Sequence, residues 1–477
     1  MRATLKTIVS RCLAGVIAVM STTGIWIGPA DAGGFEYGTD NGALAVGRGG
    51  AAAAIATPSA LYSNIAGVAD TQGSSFYTSG NLVFRQLRFQ RLGFREIEDE
   101  SRPFVGPMVA AAFRLTPSLV LAIGVHGPVA VGEGHYDRGT LGDPGPSRYL
   151  FTDISFFYAI PTVALGFRIR GLDSLRIGIG FQPAVASAAI SVYTGTVVVD
   201  DPLFDVRVEG DVEDPFVPAM QVGFLYGIGD RVEIGAQVRF SDSIEAYGDA
   251  VPVGVPFAQD GGIRFPASRV RLDVPVPFTV LRGGVRYRHP RPGAQTGAGA
   301  APEPHRTELF DVELDFLYES YSSFRRIVVA PLEPVHTPLG VYDVPDLVIQ
   351  QHWRDTVSLR LGGMVNLLEG GLSLSAGVFW QSAASPLEYT HLVFPAWNSV
   401  GVALGVTYRV RVLELTVAYM HIFMTDRHVS AEGGRIFALR ASPLGGTFDA
   451  PAVNAGDFEG SYDILAFSAL ISYSGAR

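Results

Sequence analysis

The sequence predicts an all-β protein: a transmembrane antiparallel up-and-down β-barrel of about 14 strands, with an N-terminal plug in its lumen. Three observations predict it. The chain is rich in apolar residues, yet beyond Ile27 it has no unbroken apolar run long enough for a spanning helix. Many segments alternate apolar with small or polar residues at period two, as a wall between lipid and a filled or aqueous lumen requires. Short and long connections also alternate, as periplasmic turns and extracellular loops do in such barrels.

Residues 1–32 read as a cleaved signal peptide. Arg2, Lys6 and Arg11 form a basic region, Cys12 to Ile27 an apolar stretch too short for a span, and Ala30-Asp31-Ala32 a small-x-small cleavage site. Gly, Ser and Thr thin the stretch and Pro29 closes it, which argues against an uncleaved anchor. The only cysteine, Cys12, leaves with the signal, so no intramolecular disulfide and no thiolate metal site is expected. The basic region directly before Cys12 leaves no lipobox. Removing residues 1–32 takes away three cations and one anion and moves the formal charge from −10 to −12, which disfavours nucleic acid as a partner. After Lys6 every cationic side chain is arginine, which codon bias explains without any special role.

Residues 33–73 do not alternate. They are small and Gly/Ala-rich, and a segment of this kind ahead of a wide barrel is expected to fold inside it as a hatch. From residue 74 to the end the strands are expected near 74–91, 104–114, 119–130, 153–170, 175–197, 213–227, 231–247, 271–289, 305–328, 355–367, 371–385, 397–410, 413–428 and 460–473. In the fifth, Leu175, Ile177, Ile179 and Phe181 oppose Arg176, Gly178, Gly180 and Gln182; in the ninth, Val312, Leu314 and Phe316 oppose Asp311, Glu313 and Asp315. An arginine on the lipid face near the bilayer midplane costs roughly 2–4 kcal/mol, so the charged faces are expected to point inward. The long loops are expected near 92–103, 131–152, 198–212, 248–270, 329–354, 386–396 and 429–459. A periplasmic sandwich or propeller fits less well, because no blade-like repeat appears and several strands exceed the usual soluble length.

Inside the lumen, Arg282, Arg286 and Arg288 on the eighth strand are expected to neighbour Asp311, Glu313 and Asp315 on the ninth, with Arg354 and Arg360 on the tenth. A structural ion-pair ladder is the plainer reading, a ligand site the sharper one. No metal and no cofactor is expected. His126, His391 and His421 lie near strand ends with no nucleophile motif beside them, so no catalytic site is read. Gly47 to Gly50 neither follow a strand nor open a helix, so they are no nucleotide loop.

Asn64-Ile65-Ala66-Gly67, just ahead of the first strand, resembles the Asn-Pro-Ala-Gly motif that closes the hatch in the FadL/TodX family of outer-membrane transporters, with isoleucine where the family has proline. Further similarities follow in the family's order: Ile160-Pro161-Thr162-Val163-Ala164, Tyr321-Ser322-Ser323-Phe324, Trp353-Arg354-Asp355, Leu359-Arg360-Leu361-Gly362, Ser375-Ala376-Gly377, Ser385-Pro386 and Val417-Ala418-Tyr419-Met420. The resemblance implies passive, ligand-gated passage of long-chain fatty acids or aromatic hydrocarbons and sideways release through a gap beside the third strand. In this chain that strand carries Gly124, Gly127 and Pro128, the expected opening. It also implies a mature N-terminus, Gly33-Gly34-Phe35, in the ligand pocket. The expected partners are a hydrophobic small molecule and the lipid and lipopolysaccharide of the outer membrane, around a monomer. A water-filled porin for small polar solutes is the alternative.

Overall fold

The computed structural model describes residues 42–55, 57, 59–127, 132–172, 174–195, 200–253, 267–292, 304–337, 340–342, 346–438 and 452–473. The expected signal peptide, Gly33-Gly34-Phe35 and Pro128 lie outside the described residues.

Fourteen strands make the wall: β1 Ser74–Arg91, β2 Phe104–Thr116, β3 Leu119–His126, β4 Asp153–Arg168, β5 Leu175–Gly195, β6 Asp205–Ile228 and β7 Val232–Ser241 form one half. The other half is β8 Thr279–Pro290, β9 Glu308–Glu319, β10 Thr356–Leu367, β11 Leu372–Gln381, β12 Ser399–Val410, β13 Leu413–Met424 and β14 Gly456–Tyr473. Each pairs antiparallel with the next. β14 returns to β1 along its whole length, from Ser74 opposite Tyr473 to Arg91 opposite Gly456, and closes the barrel. Closure leaves no unpaired edge, the condition for a sheet to sit in hydrocarbon. No helix among the described residues is long and apolar enough to cross a membrane.

Alternation sets the two faces as expected. Ile179 and Phe181 are exposed on the outside while Arg176, Gly178, Gly180 and Gln182 are buried in the lumen; Val312, Leu314 and Phe316 are exposed while Asp311, Glu313 and Asp315 are buried. The outer surface therefore carries the apolar side chains that a soluble protein would hide.

Three expected strands prove to be two each. β7 stops at Ser241 and Ile244–Val253 pairs with the first part of β6; Ser268–Val274 is separate from β8, and Arg326–Pro331 from β9. With Leu347–Gln350 these pieces form a sheet that continues the wall beyond the long-loop rim. The breaks have local causes: Asp242-Ser243 after β7, Pro275 and Pro277 ahead of β8, and the 3₁₀ turn Tyr321–Ser323 after β9. The expected loops 248–270 and 329–354 therefore contain strands. β6 likewise begins at Asp205 rather than at 213, because the acidic run Asp205 to Asp214 pairs with the Ala186 to Gly195 part of β5 in this extension.

The wall has one seam. β4 and β5 pair from Asp153 to Ala159 and again from Val163 to Arg168, but not at Ile160–Thr162 opposite Gln182–Ala184. The flanking pairs, Ala159 with Val185 and Val163 with Phe181, set Pro161 opposite Pro183, and Pro183 in turn faces Pro218 of β6. Neither Pro161 nor Pro183 has an amide hydrogen to give, so the ladder lapses between them. On the lumen side Gln182 Nε2 donates to Thr162 Oγ1 at 3.0 Å and bridges the break.

Candidate functional site: the filled lumen

Residues 42–73 run through the barrel and have almost no regular structure of their own: one helical turn at Ala43–Val46, another at Ala60–Ser63 and a 3₁₀ stretch at Ile65–Asp70. A segment so short of internal hydrogen bonds must find partners on the wall. Ala52 and Ala53 N–H donate to Asp315 Oδ2 at 2.8 and 2.9 Å, and Ala54 N–H to Glu313 Oε1 at 2.6 Å. Ile65 N–H donates to Gln237 Oε1 at 2.7 Å, while Gln221 and Gln237 donate to the carbonyls of Leu61 and Tyr62. The close fit needs glycine on the wall: a Cβ at Gly178 would lie 2.5 Å from the Ile65 carbonyl carbon, and one at Gly235 would strike the Ala53 carbonyl.

Asn64 joins the segment to itself and to the wall. Its Nδ2 donates to Ala53 O at 2.6 Å and to Phe224 O at 3.0 Å, and its Oδ1 accepts Ala66 N–H at 3.2 Å, capping the 3₁₀ stretch. Ile65 and Ala66 are fully buried, with Gly67 beside them. The cap is made by the asparagine side chain, so the turn forms without a proline after it.

The charges form a chain across the lumen. Arg168 and Arg176 meet Asp70 at 2.7 and 2.9 Å; Arg176 meets Glu233 at 2.6 Å; Arg286 meets Glu233 at 3.2 Å, Glu308 at 2.7 Å and Asp311 at 3.2 Å. Arg48 meets Asp311 at 2.6 Å and Glu313 at 3.0 Å with its side chain wholly buried. Of the expected ladder, Arg286 does sit with Asp311, opposite Glu313 in the β8–β9 register. Asp315 and Glu313 serve segment amides, Arg360 donates to Gly50 O at 3.3 Å, and Arg282 lies over the Tyr62 ring at 5.4 Å. Arg354 falls before β10 rather than on it. The sequence pointed Arg176 and Glu233 inward with their strands but did not single out Arg48, Asp70 or Glu308; Arg48 and Asp70, among the few charges in an otherwise small-residue stretch, were the available signal.

Toward the long-loop end the lumen turns apolar. Phe89 stacks on Phe458 with centroids 4.4 Å apart and Trp397 meets Phe458 edge-on; Phe324 stacks on Trp353 at 4.3 Å, with Phe394 against both. Met420, Ile422 and Ile464 are buried in the same cluster. His391, in the loop between β11 and β12, stacks on Phe151, and its Nδ1 accepts Val393 N–H at 3.0 Å; burial holds its pKa down to about 4. Outside the barrel mouth an open groove of about 840 Å³ is bordered by Glu100, Arg102, Glu133, Asp153 and Asp211.

Between the polar and apolar layers is a cavity of about 20 Å³ whose lining includes Tyr62, His126, Gln182, Arg239, Val280 and Arg282. Of the residues expected at the opening, Gly124 and Gly127 are described, on and just after the strand that brings His126 to this cavity. Gly124 sits within a continuous ladder, paired with Ala110 and Thr162, and faces Leu61 of the segment; pairing on both sides of β3 ends at His126, so Gly127 marks where the described ladder stops.

No protein-family model and no curated protein sequence matches the chain. Solved structures do. A Pseudomonas aeruginosa FadL homologue superposes with a TM-score of 0.68 at 14% identity, over 92% of this chain and 99% of that one. The Pseudomonas putida toluene transporter TodX gives 0.64 at 13% identity over 93% and 100%, and the CymD monoaromatic hydrocarbon channel 0.60 at 13% over 91% and 97%. The chain has the fold of the FadL/TodX transporters.

Proposed function

We propose that this protein is an outer-membrane channel for passive, ligand-gated uptake of hydrophobic molecules, long-chain fatty acids or aromatic hydrocarbons, acting as a monomer among outer-membrane lipid and lipopolysaccharide. The observation that carries the reading is the layering of the lumen: an aromatic and aliphatic layer at the long-loop end above a plug held by buried charges. An apolar molecule gains about 0.8 kcal/mol per methylene buried in such a layer. It cannot continue straight down, because the charged layer would have to be broken and left unpaired, at several kcal/mol. Sideways release into the bilayer avoids that layer, and the end of β3 at His126-Gly127, with Pro128 next in sequence, is where we place the exit. The fold neighbours described as a FadL homologue, a toluene transporter and a hydrocarbon channel support the cargo class.

Asn64 gives the test. Truncation to Ala removes the donor to the Ala53 and Phe224 carbonyls and the cap, a loss of about 1–3 kcal/mol that falls on the plug rather than on the wall. Labelled oleate and toluene are offered to a host that lacks its own hydrophobic-compound transporter and expresses the wild type or Asn64→Ala. Uptake above the empty host that drops in the variant supports a plug-gated channel. A folded barrel that passes neither compound but admits small sugars into liposomes is a porin instead.

A further inference from the structure

Charge is shared unequally between the two ends of the barrel. The six short connections between the fourteen strands carry five arginines and four carboxylates and are close to neutral. The seven long connections carry 22 carboxylates against 13 arginines and no lysine. The first ten residues of β6, Asp205 to Asp214, stand beyond the same rim and add five carboxylates against one arginine. The lumen charges do not offset this surplus, since they meet one another or the plug.

The sheet that continues the wall shows where the surplus lies. Glu209, Asp211 and Glu213 alternate along β6 and are exposed, and Asp211 stands directly opposite Asp249 on the neighbouring strand. Like charges set opposite each other cost a sheet stability, so stability does not account for the pattern. The same face borders the groove of about 840 Å³. Along it Arg138 and His135 meet Asp153, Arg207 meets Glu209 at 3.1 Å and Arg269 lies 3.7 Å from Asp249. Arg102 is left beside Glu100, Glu133 and Asp211, and Ile154, Ile190 and Val251 add apolar surface. Each exposed charge acts weakly through water, but the field of many changes the capture rate of a charged molecule by roughly 10- to 1000-fold.

We infer that the long-loop end is a charge filter on the cargo: it draws in hydrophobic cations faster than neutral molecules of the same shape, and holds off carboxylates. This rests on the hydrophobic-channel reading and narrows it, since an alkyl- or arylalkylammonium compound or an uncharged apolar one is then taken in preference to a fatty acid. The filter acts on the rate of encounter and not through one binding residue, so it weakens as salt screens the field. Once past the rim, every such molecule meets the same aromatic and aliphatic layer, and the apolar part of the cargo decides how firmly it is held.

The test uses three probes with one skeleton and different heads, para-nitrophenylbutylamine, para-nitrophenylbutanol and para-nitrophenylbutanoate, at neutral pH, where the first is a cation and the last an anion. The full-length mature protein is held in nanodiscs of zwitterionic lipid, with empty discs as baseline. Association is followed by stopped flow as the nitroaromatic ring quenches Trp353 and Trp397, which lie in the apolar layer. The expected order of association rates is amine, alcohol, carboxylate, with amine over carboxylate by about tenfold or more at low salt. That ratio is expected to shrink between about 0.01 M and 0.15 M salt, as the Debye length falls from about 30 Å to about 8 Å. Combining Glu133→Gln, Glu209→Gln, Asp211→Asn and Asp249→Asn, all exposed positions, is expected to lower the low-salt ratio about threefold or more while moving the alcohol by less than about twofold. Heat-dependent gel mobility checks that this variant is a folded barrel, and the salt series stands without it. Equal rates for the three heads, or a ratio that neither salt nor the variant moves, overturn the filter and leave the channel reading standing if the alcohol associates. A wild type with which none of the three associates overturns both.

Discussion

His391 is a single residue whose chemistry reaches beyond itself. Its Nδ1 accepts a backbone N–H while its ring stacks on Phe151, a geometry open only to the neutral imidazole. Burial lowers its pKa from 6.5 to about 4. The folded form therefore resists a proton that the unfolded chain accepts: the stability is fully present above about pH 6.5, falls as pH drops through that value, and levels off below about pH 4, a loss of ~3 kcal/mol. Trp353 and Trp397 are buried in the same apolar cluster and report its opening. Urea titrations followed by tryptophan fluorescence should show a midpoint that declines between pH 6.5 and 4.5, and His391→Phe should flatten that decline. An unchanged pH profile in the variant removes His391 as the cause. Arg48 makes the complementary point, since a fully buried cation is tolerable only because Asp311 and Glu313 both meet it.

At the scale of elements, the wall is strongest where every amide has a partner and weakest at the row Pro161, Pro183, Pro218. Proline is rare inside a central strand, and two placed face to face between β4 and β5 remove both donors from one pair position. Replacing both with valine restores those donors at sites that already point outward, so Pro161→Val with Pro183→Val should raise the unfolding free energy by about 1–2 kcal/mol. Urea unfolding in lipid vesicles measures it; a double variant no more stable than the wild type means that the break is held open by something other than the missing N–H groups. The seam lies next to the cavity through Gln182, which bridges it and also orients Arg239, so the same variant reports on how far wall and site are coupled.

The whole molecule is inside-out by design: charges and small residues within, apolar side chains without. Leu314 lies midway along β9, 55% exposed, between the buried Glu313 and Asp315. Leu314→Arg should therefore cost about 2–4 kcal/mol of stability in a bilayer, whereas the same change on a water-facing strand would cost almost nothing. Unfolding of the variant in vesicles checks this, and a loss below about 0.5 kcal/mol would place that face in water instead. The plug follows from the same logic, since a closed wall of this circumference leaves a lumen that must be filled or left as a pore.

Much of this was legible along the chain because alternation is a local property. Period-two patterning in Leu175 to Gln182 or Asp311 to Phe316 states which side faces lipid, and the turn residues between such segments separate one strand from the next, so the strand number and most boundaries followed. Where local patterning continued past the rim, as from Val232 to Tyr247, it could not say that the chain leaves the wall at Ser241 and pairs elsewhere, because a strand beyond the membrane alternates just as well. The expected charge ladder was incomplete for the same reason: register between β8 and β9 put Arg286 near Asp311 and Glu313, but it could not reveal that Arg48 and Asp70 of the plug enter the network, or that Arg282 also lies over the Tyr62 ring. The sequence by itself determined the barrel, its sidedness and the presence of a segment too short of internal partners to stand alone. Only the tertiary structure decided which charges pair, where the wall is broken and where a small polar cavity lies, because those depend on residues hundreds of positions apart being brought to one depth by closure of the sheet.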